Sequence, residues 1–250
     1  MKLGTDVLAR DISSKIDLLE SKRVDYLEIG IDQISDMEKL NEYKDILKGK
    51  MAIHLPLELN TMEACEYIRY SWISFIEEII IRAREFEPLY LNFHMGFAPN
   101  KKYQKNFGKY IENTVEFIDI IKNKFKKTNF SLENTFSKGG EIVYTGNTKK
   151  ELSLIFNEHS SLWFCLDTGH EKIQGEDFSN GFVTPKIVHW SYNNGEEDEH
   201  KGVYNLDKSE ILNSLRKFKE NKILFLMLEM NRVEIEESLK NSDEIDMVRT

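Results

Sequence analysis

The sequence has few of the residues that mark fibrous, disulfide-stapled or membrane-spanning proteins. It contains two cysteines, four prolines and 13 glycines among 250 residues. Two cysteines are too few for a disulfide framework, so we expect Cys65 and Cys165 to be buried thiols that bind no metal. No apolar stretch reaches about 18 residues, the length of a membrane span, and the first residues, MKLGTDVLARD, lack a leader pattern. These absences predict a cytoplasmic protein with no membrane partner.

The chain is acidic, with 34 Lys plus Arg against 43 Asp plus Glu and a net charge of −9. An acidic average field disfavours sequence-independent binding to nucleic acid, because phosphate contacts need clustered Lys and Arg. Hydrophobic residues make up 40% of the chain, which is enough for a sizeable core. We therefore expect one globular domain over residues 1–250.

Short β-rich runs alternate with longer helical patterns along the whole chain. Helix-start signals follow at Asp11, Ser35, Thr148 and Asp207, and the last helix is predicted over Glu234–Leu239. Residues 171–184 are expected to form a weak helix or loop, and residues 193–205 a long loop. The eight candidate strands are Lys2–Asp6, Val24–Ile31, Met51–Leu57, Leu89–His94, Asn129–Thr135, Leu162–Asp167, Lys186–Tyr192 and Ile223–Met230.

Eight such units in about 250 residues predict an α/β fold, a single-domain (β/α)₈ TIM barrel. An open doubly wound sheet is the alternative. That fold would need a glycine-rich phosphate turn, and the chain contains neither GxGxxG nor GxxxxGK[ST]. The barrel is therefore the preferred prediction.

Five of the six histidines fall at or just beyond the C-terminal ends of predicted strands, where a barrel gathers its functional groups. His159 lies elsewhere and is expected to be structural. Four acids share the strand-end pattern, and an acid that ends an apolar run is costly to bury unless it is paired or binds a metal. The strand-end set comprises His54, His94, His170, His189, His200, Glu133, Asp167, Asp198 and Glu229.

A pocket of carboxylates and imidazoles needs cations to offset repulsion between its charges. Imidazole and carboxylate without thiolate suit divalent Zn, with Mn or Fe as alternatives. Nine candidate ligands exceed the capacity of one ion, so two or three ions are predicted.

Five segments of the chain resemble the xylose isomerase-like barrels, and among them the metal-dependent enzymes of the endonuclease IV type (AP endonuclease family 2). They are SLENT, CLDTGH, VHWSYN, the DEH loop and LMLEM. The resemblance follows strand order over nearly the whole chain. It implies three ions: one held by His54, His94 and Glu133, a second by Glu133, Asp167, His189 and Glu229, and a third by His170, Asp198 and His200.

The leading functional prediction is a metal-dependent hydrolase of phosphoester bonds. A hydroxide bridged between metal ions would attack the phosphorus, with Glu133 and Glu229 as catalytic residues. Glu58 follows the first ligand where a DNA-cleaving relative has an apolar wedge, and Glu196 and Glu197 add acid to a short loop. These departures argue against duplex DNA, so a small phosphorylated or nucleotide-like substrate is expected, such as the nucleotide loop of a cobamide.

Three alternatives stay open. A single-metal sugar or sugar-phosphate isomerase or epimerase would use Glu133 and Glu229 as acid and base, with His170 contacting the substrate. A DNA-repair endonuclease of the endonuclease IV type is the second. A non-catalytic binding barrel that merely retains its ligands is the third. Substrate choice is expected to depend on the loops at residues 96–102, 136–146 and 175–184.

Overall fold

The computed structural model describes residues 1–241 and 243–246, so the expected C-terminal bound at residue 250 lies outside the described residues. Eight parallel strands close into a barrel in the order β1-β10-β9-β8-β6-β4-β3-β2. This confirms the predicted single-domain (β/α)₈ barrel and excludes the doubly wound sheet. The strands are β1 (Lys2–Leu8), β2 (Tyr26–Gly30), β3 (Met51–His54), β4 (Leu91–His94), β5 (Gly96–Pro99), β6 (Phe130–Glu133), β7 (Ile142–Thr145), β8 (Trp163–Asp167), β9 (Ile187–Trp190) and β10 (Phe225–Leu228).

The barrel strands are short apolar runs that end in polar residues. β6, β9 and β10 are buried along their whole length, because the barrel interior covers one face and the helices cover the other. An apolar cluster of buried side chains packs in the lower part of the barrel. That cluster consists of Tyr26, Ala52, Tyr90, Cys165, Ile187, Phe225 and Met227. Polar side chains are therefore directed to the opposite, C-terminal mouth.

The helices surround the barrel and bury one face each. In α4, for example, Ile73, Ile76, Ile79 and Ile80 are buried at the three- and four-residue spacing of an amphipathic helix. The helices are α1 (Ile16–Glu20), α2 (Asp36–Lys39), α3 (Lys44–Leu47), α4 (Glu66–Ala83), α5 (Asn100–Lys105), α6 (Phe107–Lys124), α7 (Lys149–Glu158), α8 (Thr168–Gln174), α9 (Lys208–Glu220), α10 (Arg232–Lys240) and α11 (Asp243–Asp246). Short 3₁₀ turns span Ala9–Ser14, Leu40–Tyr43, Arg84–Phe86 and Val203–Asn205. None of the helices in the described ranges is long and apolar enough to cross a lipid bilayer.

A small antiparallel sheet stands over the mouth of the barrel. β5 pairs with β7, and this pairing joins two segments that the sequence predicts to be loops, residues 96–102 and 136–146. Gly96 begins β5 with a φ of +124°, and a Cβ there would overlap the Asn60 side chain. The position therefore requires glycine both for its backbone conformation and for space. This sheet holds Phe97 and Tyr144 at the rim of the site.

The predicted helix caps at Asp207, Thr148 and Ser35 are confirmed to different degrees. Asp207 forms a complete capping box with Glu210, as predicted. Thr148 caps α7, but the Glu151 carboxylate accepts hydrogen bonds from Gly146 and Asn147 instead of closing the box. Ser35 makes no side-chain cap hydrogen bond.

The expectation of two buried thiols is half wrong. Cys165 is buried, whereas Cys65 is exposed just before the first turn of α4. The apolar residues around Cys65 in the sequence include Tyr67 and Ile68, which are themselves exposed. Local apolar composition was therefore a poor guide to burial at this helix start.

Candidate metal centre

The structure brings all nine candidate ligands to the C-terminal mouth of the barrel. His54, His94, Glu133 and Asp167 are the last residues of their strands, and Glu229 directly follows β10. The others are supplied by β9, by α8 and by the loop after β9. All of them except Asp167 and His189 line a cavity of about 970 Å³ that opens to solvent. A cavity of this volume accommodates a small-molecule substrate.

Four of these residues form a compact group of donor atoms. One donor atom each from Glu133, Asp167, His189 and Glu229 lies within 4.8 Å of all the others. The four residues come from β6, β8, β9 and the end of β10, which are consecutive around the barrel. The two glutamates therefore occupy the outer strands, with Asp167 and His189 between them.

The spacing of these donors fits a divalent ion. His189 Nδ1 lies 3.4 Å from Glu133 Oε2 and 3.3 Å from Glu229 Oε2. Ligand bonds of about 2.0–2.1 Å around a tetrahedral ion place neighbouring donors about 3.3–3.4 Å apart. His189 Nδ1 and Glu229 Oε2 are buried and have no hydrogen-bond partner among the described residues. Unpartnered buried donors of this kind are costly unless they bind a metal.

His54, His94 and Glu133 form a second compact donor group. His54 Nε2 lies 3.4 Å from Glu133 Oε2, and His94 Nε2 lies 3.3 Å from Glu133 Oε1. His94 Nε2 also has no hydrogen-bond partner among the described residues. The Glu133 carboxylate thus faces both donor groups, one oxygen towards His94 and the other towards His54 and His189.

The remaining three candidates are close but arranged differently. A single oxygen of Asp198 lies 2.9 Å from His200 Nε2 and 3.3 Å from His170 Nε2. Within the described ranges these three do not form a compact donor group of the kind found for the other two sets. His200 has a φ of +47°, a left-handed conformation that is strained for a histidine. The trio is connected by ion pairs along the wall of the cavity.

In the metal-free cluster, burial and the neighbouring acids and histidines shift the pKa of each ionisable group. Burial lowers the pKa of His54, but Glu133 outweighs it and raises the pKa to about 9. Burial also lowers the pKa of His170, but Asp167 and Asp198 outweigh this effect and raise the pKa to about 10. Burial raises the pKa of Asp167 well above its usual value, against the influence of His170. Protons on these groups therefore replace the charge that a bound cation would supply.

We expect Asp198→Asn to lower the pKa of His200 in the metal-free protein. Burial lowers the pKa of His200, and Asp198 overcomes this to raise it from 6.5 to about 10. Burial raises the pKa of Asp198, and His170 and His200 outweigh it to give about 2. An NMR titration of the histidine resonances measures the shift directly.

The same pair predicts a pH window for stability. A raised histidine pKa stabilises the folded state fully below pH 6.5, and this contribution is lost as the pH rises to about 10. A lowered aspartate pKa stabilises above pH 3.8, and this contribution is lost as the pH falls to about 2. The stability advantage of the wild type over Asp198→Asn should therefore shrink at both extremes. A difference that stays constant from about pH 3 to about pH 10 contradicts this assignment.

The sequence did not single out Glu28, which the structure places against His189. Glu28 lies in β2, is 1% exposed, and its Oε2 is 3.2 Å from His189 Nε2. Tyr90 donates its hydroxyl to the same carboxylate. The Glu28 carboxylate accepts a hydrogen bond, so it favours the tautomer of His189 with the proton on Nε2. The lone pair of Nδ1 is then available to bind a metal ion. An acid within the apolar strand YLEIG was the available signal.

Glu28→Gln should weaken divalent-metal binding about 10- to 100-fold, which is the usual effect of removing a carboxylate that orients a ligating histidine. The glutamine has the same shape but no charge to increase the basicity of His189. Competition with a chromogenic chelator measures the change, and Glu112→Gln on the exposed face of α6 is the matched control. Equal affinities for the two variants would show that Glu28 has no role in orienting His189.

Two residues outside the mouth behave as structural groups. His159 lies at the end of α7, and its ring nitrogens face the Val115 carbonyl at 3.2 Å and Asp119 at 3.8 Å. These contacts agree with the structural role predicted for it. Arg232 pairs with Asp17 and Glu236 rather than with Glu229. Glu229 is therefore available to the donor group.

The chain superimposes along almost its whole length on solved structures of several proteins at low sequence identity. A D-tagatose 3-epimerase-like protein superimposes with a TM-score of 0.82 at 21% identity, covering 100% of this chain and 98% of its own. IolI protein with a bound zinc atom gives 0.69 at 16% identity, covering 99% and 98%. Endonuclease IV from Thermus thermophilus gives 0.62 at 14% identity, covering 99% and 100%. No family model matches the sequence, and no curated protein matches it significantly.

These comparisons correct the leading functional prediction. The prediction of a phosphoester hydrolase is wrong, because sugar epimerases predominate among the structural neighbours and point to isomerase chemistry. Glu133 and Glu229 are the predicted catalytic residues for both chemistries, so the strand-end pattern could not separate them. The count of nine donors favoured several ions and led to the hydrolase. The prediction of a divalent metal is compatible with the donor groups and with the zinc-bound neighbour.

Proposed function

We propose that this protein is a divalent-metal-dependent sugar epimerase or isomerase. The observation that carries the proposal is the placement of two glutamates around one four-donor group. Glu133 and Glu229 come from the outer strands of four consecutive strands, and both lie 3.3–3.4 Å from His189 Nδ1. A substrate over Asp167 and His189 therefore has one carboxylate on each side.

The proposed ligands of the ion are Glu133, Asp167, His189 and Glu229. A bound divalent ion would polarise a carbonyl and an adjacent hydroxyl of the substrate, which makes the neighbouring C–H bond more acidic. Three carboxylates and one imidazole suit Mn or Zn.

The two glutamates are the proposed acid and base. Burial raises the pKa of Glu229, but His189 and His200 together lower it below its usual value, so the carboxylate is ionised. One glutamate removes a proton from the carbon beside the carbonyl, and the electron pair moves onto the carbonyl oxygen. Return of a proton from the other glutamate inverts the carbon. Isomerisation follows if the proton is instead returned to the carbonyl carbon and the adjacent hydroxyl becomes the new carbonyl. The same two glutamates would transfer these protons.

The wall formed by His170, Asp198 and His200 is the proposed contact for substrate hydroxyls. Each group offers a nitrogen or oxygen at the cavity surface, and the Asp198 Oδ1 atom is buried without a hydrogen-bond partner among the described residues. Phe136 packs against the His170 ring at a centroid distance of 5.1 Å. Aromatic side chains with a few placed polar groups are typical of pockets that bind and orient small molecules.

The endonuclease IV-type resemblance contributes the other metal positions. We propose that His54, His94 and Glu133 hold a second divalent ion, because their donors are as close as those of the first group. The prediction of a third ion at His170, Asp198 and His200 remains a prediction. A multi-ion site and a sugar substrate are compatible, since extra ions can bind the same polyol.

The test uses the metal-replete protein and a panel of free and phosphorylated ketoses in D₂O. The expected result is epimerisation or isomerisation with deuterium at the altered carbon, detected by NMR. The surface variant Glu112→Gln should retain activity, and Glu229→Gln should lose it. No change in any ketose and no deuterium exchange, with metal bound and the protein folded, would refute the proposal.

A further inference from the structure

We propose that Cys165 forms a second metal-binding arrangement with Glu133 and His189, and that it takes thiophilic divalent ions such as Zn²⁺ and Cd²⁺. The Cys165 Sγ, a Glu133 oxygen and a His189 ring nitrogen lie within 4.8 Å of one another, and all three residues are buried. This arrangement runs against the sequence-based expectation that neither cysteine binds a metal. The proposal rests on the positions of these three side chains, and it does not depend on epimerase activity.

The register of the barrel explains why a thiol lies there. Cys165 on β8 is paired with Glu133 on β6, so both side chains point into the barrel at the same level. Asp167, two residues further along β8, points to the same side and is paired with His189 on β9. Cys165 therefore lies level with Glu133 and one layer below Asp167 and His189. Its surroundings on the lower side are the aromatic and aliphatic residues of the apolar cluster.

A second observation also points to a ligand at this level. His189 is 0% exposed, and its Nδ1 atom has no hydrogen-bond partner among the described residues. Its other nitrogen is held by Glu28, so the ring cannot turn Nδ1 away without breaking that contact. The unpartnered nitrogen lies 3.4 Å from Glu133 Oε2, so it faces the carboxylate that both donor groups share. Such an atom is costly to bury unless an ion uses it.

The chemistry of binding is a simple exchange of a proton for a metal. Cys165 is a buried free cysteine beside the apolar cluster, and cysteines in such surroundings are unreactive thiols. A divalent ion forms a metal–sulfur bond as the S–H bond breaks, and the proton leaves to solvent. No electrons are transferred. Soft ions gain most from this exchange because they prefer thiolate.

The two arrangements exclude each other, since both need Glu133 and His189. The upper group has three carboxylates and favours harder ions such as Mn²⁺, whereas the lower group includes the thiolate and favours Zn²⁺ or Cd²⁺. An ion in the lower position holds Glu133 away from a substrate. Cys165 thereby makes the site selective, because the kind of metal supplied decides which arrangement forms.

The experiment loads Zn²⁺ alone onto the Cys65→Ser protein, which removes the exposed thiol, and records zinc X-ray absorption. The expected spectrum contains one sulfur neighbour at about 2.3 Å, beside nitrogen or oxygen neighbours at about 2.0–2.1 Å. The sulfur signal should vanish in the Cys65→Ser, Cys165→Ser double variant. Loading with Mn²⁺ should give nitrogen and oxygen neighbours alone.

A competition measurement gives an independent readout. The ratio of Zn²⁺ to Mn²⁺ affinity should fall about tenfold or more when Cys165→Ser is added to Cys65→Ser, because only the softer ion loses its preferred ligand. Circular dichroism confirms that each variant is folded. Should Cys165→Ser fail to fold, the zinc spectrum of the Cys65→Ser protein alone decides the question.

Two results would overturn the proposal. One is a zinc spectrum of the Cys65→Ser protein with nitrogen and oxygen neighbours only. The other is a sulfur signal that persists in the folded double variant. Neither bears on the epimerase proposal, which is tested by proton exchange in the Mn²⁺-loaded protein. A protein without epimerase activity would still show the sulfur signal.

Discussion

Glu133→Gln is expected to reduce turnover of the ketose substrate about 10³-fold or more, because the amide cannot accept the substrate proton. Glu133 is 1% exposed and contacts His54, His94 and His189 through its two oxygens. Asn92 donates a hydrogen bond to the same carboxylate and fixes its orientation. Steady-state kinetics with metal content measured in parallel separates loss of the base from loss of the ion.

Glu229→Gln provides the companion measurement. If the two glutamates act on opposite sides, either variant should still exchange the substrate proton with D₂O from one epimer while failing to form the other. Each variant is therefore expected to retain proton exchange with one epimer and to lose epimerisation. Full epimerisation by metal-loaded Glu133→Gln would remove Glu133 from the reaction and sink the two-glutamate assignment.

Removal of the metal is expected to produce the second large effect, a fall in the melting temperature of about 10 °C. An ion present at about 1,000 times its dissociation constant stabilises the folded state by about 4 kcal/mol. For a domain of this size, each kcal/mol corresponds to about 2–4 °C. Differential scanning calorimetry before and after exhaustive chelation measures the shift, and added metal should restore it.

The matched control is Asp167→Asn, which removes a ligand carboxylate that is 1% exposed. Its melting temperature should respond far less to chelator than that of the wild type. An equal response in the two proteins would mean that the stabilising ion binds elsewhere. A wild-type melting temperature that chelation leaves unchanged contradicts the proposed metal centre.

The strand-end pattern predicted most of the candidate site. Segments such as SLENT and CLDTGH end apolar runs with acids and histidines, and a barrel brings the ends of its strands together whatever their separation in sequence. Glu133 and Glu229 are far apart along the chain, yet both contact His189. Periodicity and strand-end chemistry therefore sufficed for the fold and for which residues share the mouth.

The chemistry of the reaction was not accessible to the same reasoning. Counting donors predicted several ions and a phosphoester hydrolase, and the structural neighbours overturned the prediction of a hydrolase. A count of ligands carries no information on distances. The structure shows two compact donor groups, while His170, Asp198 and His200 are joined mainly by ion pairs.

The barrel and the residues at its mouth could be predicted from the sequence, because alternating strands and helices with polar strand ends are local patterns. Which of those residues are in contact depends on how the strands pair in three dimensions. Strand register places Cys165 beside Glu133, and closure of the barrel brings Glu28 of β2 across to His189 of β9. The antiparallel β5–β7 sheet over the mouth likewise joins two distant loops. These contacts depend on register and closure, which side-chain periodicity does not encode.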